Sequence, residues 1–177
     1  MSAVLTTGAG GMSFEIVVLY LYQASFGVLY QKVSLLIASY MLGLAAGALL
    51  FRLRGRAGFG TLLFADACVA ALLLFPVMWK YHSPSPLEFA SALVLFGVAG
   101  GFQLAAAGFV LERLSETVAA AAGVEAADHI GAMAGAFATG LLLVPLAGVF
   151  CTALALVAVK LTSLCAVAGV CSRCRGA

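Results

Sequence analysis

A charged side chain inside an otherwise apolar stretch is the first place to look for chemistry. Three such residues stand out: Glu15 in GMSFEIVVLY, Asp66 in LLFADACVA and Lys160 in LVAVKLTSL. At bilayer depth a charge costs about 2.5 to 3.5 kcal/mol on insertion scales, so each requires a partner or a task. Counting about 1.5 Å per helical residue from the arginine-bearing ends puts Asp66 about 12 Å deep and Lys160 about 15 Å deep. The expectation is an Asp66–Lys160 ion pair inside a bundle, with Glu15 nearer the cytoplasmic edge as a proton or cation acceptor. Gln23 and Gln103 are candidates for lining a polar path, or for hydrogen-bonding between helices. Asp128 and His129 open the fifth apolar stretch, where the carboxylate can cap a helix and the imidazole can relay protons. A structural alternative stays open, because buried ion pairs also serve only to lock helices together.

Other constellations are sparse. His129 and His82 are the only histidines and are expected on opposite sides of a membrane. A bis-histidine haem is therefore not expected, and Cys-x-x-Cys-His does not occur. Cys171-x-x-Cys174 has the spacing of half a zinc site without a second half. Palmitoylated or unmodified juxtamembrane thiols are the readings left. No cofactor or metal is expected, and no clustered His, Asp or Cys set suggests an enzyme.

The elements that must position these residues follow from composition. Of the 177 residues 64% are apolar and only 9% charged, against about 25% charged in soluble domains. Such a chain cannot cover a water-facing surface, so lipid is its expected solvent. A span takes about 20 apolar residues. Six such stretches lie at about 11–29, 33–51, 58–79, 87–111, 130–150 and 152–170. The fold class expected is a single all-α, polytopic transmembrane bundle over residues 1–177. Pro145 and Gly148, with no charge between the last two stretches, leave five spans with a re-entrant hairpin as the alternative. Met1 to Gly11 carries no positive region like that of a cleaved signal, so the first span is expected to be retained.

With both termini inside, Arg52, Arg54, Arg56, Arg113, Arg173 and Arg175 fall on the cytoplasmic side and only Lys32 and Lys80 outside. That asymmetry fits an even number of spans in the cell's inner (plasma) membrane. Trp79, Tyr81 and His82, with Tyr30, are expected to form an outer aromatic belt. The segment Glu112 to Asp128, with Glu116 and Glu125, reads as a short cytoplasmic helix. Gly43-x-x-x-Gly47, Gly97-x-x-x-Gly101 and Gly131-x-x-x-Gly135 predict close helix packing. A net charge of +2 gives no reason to expect nucleic acid as a partner.

Two stretches carry more than composition. Thr7 to Leu50 places Gln23 eight residues after the membrane Glu15, followed by FG..Y and MLGLA.G; Ala126 to Gly148 has Asp-x-x-Gly-x-x-x-Gly followed by LLLVPLAG. Both resemble the membrane part of bacterial fused major-facilitator/spermidine-synthase-like proteins. The resemblance implies a major-facilitator-like half, with GLAAGALLFRLRGRAGFG as a degenerate basic inner loop that lacks the usual acidic residue. No strand-glycine-loop pattern of a synthase domain occurs, so aminopropyl transfer is not assigned to this chain. A single half implies pairing with a second copy or another membrane chain, or with a soluble synthase-like protein. The functions expected are transport of a small polar or cationic solute or, alternatively, anchoring and assembly of a larger complex.

Overall fold

The computed structural model describes the backbone of residues 1–27, 30–55, 58–79, 84–115 and 118–175, and the side chains of these except 113–121 and 170–175. Arg56, Lys80, Tyr81, His82 and Glu116 lie outside the described residues, as do the side chains of Arg113, Cys171, Arg173, Cys174 and Arg175. All regular structure among the described residues is helical: α1 Ser2–Phe26, α2 Tyr30–Arg54, α3 Phe59–Leu72, α4 Phe75–Met78, α5 Pro86–Ser115, α6 Val118–Phe137 and α7 Val144–Arg175. A π-helical stretch, Ala138–Leu143, joins α6 to α7. Among the described residues five helical stretches are long and apolar enough to cross a membrane, the last of them the 48 residues Ala122–Gly169. The chain is therefore a multi-pass helical bundle suited to a bilayer.

Small residues decide which helices meet. Gly43 and Gly47 of α2 lie against the backbone of Val94, Gly97 and Val98 of α5, and Gly97 and Gly101 lie in turn against Tyr40 and Leu44. Residue numbers rise together along this seam, so α2 and α5 run parallel. A second parallel seam joins α1 and α6: Gly131 abuts Leu5, and Gly135 abuts Ala9. Without a Cβ the backbones come close enough for dispersion and polar contacts to act where lipid offers no hydrophobic drive. Ser13 Oγ donates to the Gly135 carbonyl oxygen at 3.2 Å, and Thr139 Oγ1 donates to Ser13 Oγ at 2.7 Å. Both hydroxyls are buried. Thr139→Val, which keeps the shape and removes the donor, is expected to lower stability by about 1 kcal/mol. The same exchange in a Ser13→Ala background should cost less, a difference that denaturant titration in micelles measures.

The long last stretch is not one rod. Pro145 has no N–H and its ring crowds the carbonyl four residues back. The preceding turn is widened, with the Val144 N–H bonding to the Thr139 carbonyl oxygen. At Gly148 the backbone leaves helical space altogether, with φ 77° and ψ 169°, a conformation that only glycine adopts without strain. Before this point Thr139 sits beside Ser13; after it Lys160 sits beside Ala3 and Thr7. The chain doubles back at Gly148, and both arms lie against α1.

α5 runs antiparallel to α1: Phe14 stacks on Phe96 with centroids 4.3 Å apart, while Tyr22 meets Phe89 edge-on at 5.3 Å. These rings, with Leu36, Val69, Leu73 and Trp79, form the larger apolar core. A smaller core of Val4, Leu62, Ala107 and Val124 lies at the other end of α1.

Four expectations are corrected. α1 begins at Ser2, nine residues before the expected boundary, because Thr6 and Thr7 return their hydroxyls to the helix at Ala3. No separate cytoplasmic helix spans residues 112–128, since α5 continues to Ser115 and α6 starts at Val118. Trp79 is no lipid-facing anchor, being 9% exposed with its ring 4.5 Å from that of Phe89. Asp128 caps nothing, standing ten residues inside α6.

Candidate functional site

Asp66 lies seven residues into α3, and Lys160 lies twelve residues past the reversal at Gly148. Because α3 and the returning arm of α7 pack side by side, the two meet. Asp66 Oδ1 is 2.6 Å from Lys160 Nζ, with side chains 0% and 1% exposed. α5 adds Gln103, whose Nε2 donates to the same Asp66 oxygen at 2.5 Å. α1 supplies the other acceptors for the ammonium: Thr7 Oγ1 at 2.5 Å, the Ala3 carbonyl oxygen at 3.4 Å and Thr6 Oγ1 at 3.5 Å. Thr7 Oγ1 in turn donates a hydrogen bond to the Ala3 carbonyl oxygen at 2.6 Å. One ammonium thus ties α1, α3 and α7 together, and its charge is matched in a medium where an unmatched charge is costly.

The network has more acceptors than donors. Asp66 Oδ2 and Gln103 Oε1 are buried with no hydrogen-bonding partner among the described residues, and so is Ser163 Oγ, three positions beyond Lys160. In a low-dielectric interior such oxygens favour a proton or a donor-bearing molecule nearby.

On the far side of Thr7 lies a cavity of about 360 Å³ between α1, α2, α5 and α6. Among the described residues its polar side chains are Thr7, Tyr40, Glu125 and Asp128, and no lysine or arginine lines it. The remaining wall is small and apolar, including Leu44, Gly100, Gly101 and Gly108. Gly101, which lets α5 touch Leu44 of α2, also borders the cavity, and Gly100 and Gly108 leave room where the seam opens. Thr7, Gly11 and Glu15 share one face of α1 at intervals of four. The Tyr40 hydroxyl lies over Gly11, 2.6 Å from where a Cβ would stand. Tyr40 is within electrostatic reach of both Glu15 and Asp128, and Lys160 of Asp128. Two carboxylates therefore face the cavity, and the buried ion pair sits behind it with Thr7 between them.

The candidates read from the sequence divide accordingly. Asp66, Lys160 and Gln103 come together, and Asp128 faces the adjoining cavity. Glu15 is not near an edge: it stands thirteen residues into α1 and is 5% exposed. Gln23 is exposed near the end of α1 and is not brought to the site. His129 is exposed on α6 and does not line the cavity. Thr7, Tyr40 and Glu125 were not singled out by type. Tyr40 sits three residues before Gly43, so the small-residue seam of α2 is the signal that marks its helix face as internal, and Thr7 carries no such mark. Comparison of the chain with protein-family models, with curated proteins and with solved structures returns no match.

Proposed function

We propose that this chain is a six-span membrane domain that moves a small polar or cationic solute, and that the solute binds in the cavity between α1, α2, α5 and α6. The observation that carries this reading is the lining of that cavity: two carboxylates, a phenol and a hydroxyl, with no basic side chain among the described residues. Its volume lies at the small end of the range of about 300–1,000 Å³ common for small-molecule sites. A cation entering there would meet Glu125 and Asp128, and its hydrogen-bond donors would meet Thr7 and Tyr40.

Six spans, rather than five, are supported by length. The 48 residues Ala122–Gly169 would reach about 70 Å as one helix at 1.5 Å per residue, more than twice the roughly 30 Å of hydrocarbon. Reversal at Gly148 divides them into two crossings, and an even number keeps both termini on one side, the cytoplasmic side of the inner membrane by the arginine asymmetry. Pairing supports the likeness to a major-facilitator half. Taking α1, α2 and α3–α4 as one unit and α5, α6 and the returning arm of α7 as another, exchange of the units turns the α1–α6 seam into the α5–α2 seam. It likewise turns the α5–α3 contact into the α7–α1 contact. Because α1 and α5 run oppositely, this is the pattern of an inverted repeat.

In this reading the chain acts without covalent chemistry. A second copy, another membrane chain or a soluble synthase-like protein would close the open side of the cavity. In proteoliposomes, uptake of small organic cations should be measurable. It should drop to the rate of empty vesicles in Asp128→Asn with Glu125→Gln, while the variant stays folded by circular dichroism. Uptake unchanged in that variant would exclude the cavity as the pathway. The full burial of the Asp66–Lys160 pair favours a second reading, an anchor or assembly subunit whose charges only fix the bundle. Absence of flux for every cation, with stable co-purification of a partner, selects it.

A further inference from the structure

α2 and α3 are joined by only four residues, 55–58, yet the two helices barely touch, since each packs on α5 instead. The gap between them is a groove of about 640 Å³ floored by Leu95, Val98, Ala99 and Phe102 of α5 and walled by Phe64 and Ala65 of α3. Apart from the Thr61 hydroxyl and the Cys68 thiol its lining along α3 and α5 is apolar, and Arg54, at the end of α2, stands at one mouth. Gly60 and Cys68 both line it, and eight residues separate them, so the groove follows α3 for about 12 Å.

An apolar channel of that length beside hydrocarbon suits an acyl chain, and a guanidinium at its mouth suits an anion. A free anion has no use for the channel, and a purely apolar ligand has none for the arginine. The molecule that carries both parts at this spacing is a membrane lipid with an anionic headgroup. We propose that the groove between α2 and α3 binds an anionic phospholipid, one acyl chain lying along α5 and the phosphate held by Arg54. The site is separate from the cavity between α1, α2, α5 and α6 and stands whether or not that cavity transports a solute.

Native mass spectrometry of the detergent-purified chain, titrated with phosphatidylglycerol or phosphatidylcholine, tests this. The wild type should retain phosphatidylglycerol more strongly than phosphatidylcholine. Arg54→Gln should weaken phosphatidylglycerol about fivefold, the effect of one arginine near an anionic surface, and leave phosphatidylcholine unchanged. Ala99→Phe, which fills the floor, should weaken both. Cys68, a thiol lining the groove, should react more slowly with a maleimide when phosphatidylglycerol is added. That readout requires no variant to fold. Equal retention of the two lipids by the wild type, unaltered phosphatidylglycerol binding in Arg54→Gln, or unaltered Cys68 reactivity would overturn the proposal. So would a dimer peak that Ala99→Phe abolishes and added lipid does not, because a second copy would then occupy the groove.

Discussion

Asp66→Leu is expected to destabilise the bundle by about 3 to 5 kcal/mol, because it leaves the Lys160 ammonium buried without its counter-charge. The geometry makes the loss specific. Lys160 is 1% exposed and lies 2.6 Å from the carboxylate, and its other acceptors are neutral oxygens of Ala3, Thr6 and Thr7. Removing both charges, in Asp66→Leu with Lys160→Met, should recover about half of the loss. About 1 to 3 kcal/mol should remain, since Gln103 loses the acceptor of its amide. The cycle is measured by unfolding in mixed micelles with increasing sodium dodecyl sulfate. If the single and double variants lose stability equally, the pair does not hold the helices.

The second large effect belongs to the α2–α5 seam. A Cβ at Gly97 would stand 2.9 Å from the Leu44 nitrogen and 3.0 Å from the Gly43 Cα, both backbone atoms that cannot turn aside. Gly97→Leu should therefore force the two helices apart and cost about 3 kcal/mol or more, at or beyond the upper end of ordinary overpacking. At Gly108, on the same helix, nothing among the described residues beyond the helix's own backbone lies within 4 Å of where a Cβ would stand. Gly108→Ala should be neutral or slightly stabilising, as helix propensity favours alanine. Thermal unfolding of both variants beside the parent checks the contrast; similar losses at the two positions would mean that close approach at Gly97 is not what joins α2 to α5.

Much of this architecture is legible in the residues. Runs of about twenty apolar residues mark the helices, glycines spaced by four mark the seams, and two isolated charges of opposite sign predict their own meeting. What the residues do not carry is the partner of each seam. Gly43 and Gly131 sit in similar patterns, and nothing local assigns one to α5 and the other to α1. Helix ends are also poorly marked, because the usual signals are polar caps and in lipid the cost of stopping early replaces them. That is why Ser2 rather than Gly11 begins α1 and why Glu15 lies in mid-helix. The cavity was least visible, since its volume arises from what Gly100, Gly101 and Gly108 lack.

α1 finds almost nothing to pack on in its neighbour α2; its main partners are α6 and α7, which begin at Val118 and Val144. A ribosome adding about 5 to 20 residues per second needs on the order of ten seconds to make that intervening stretch. Throughout that interval the nascent first helix lacks Gly135 and Thr139, the partners of Ser13, and Lys160, the partner of Thr7. Biogenesis of this protein is thus a waiting problem, and a translation product truncated before α6 would expose its N-terminal helix to whatever insertase or protease attends the membrane.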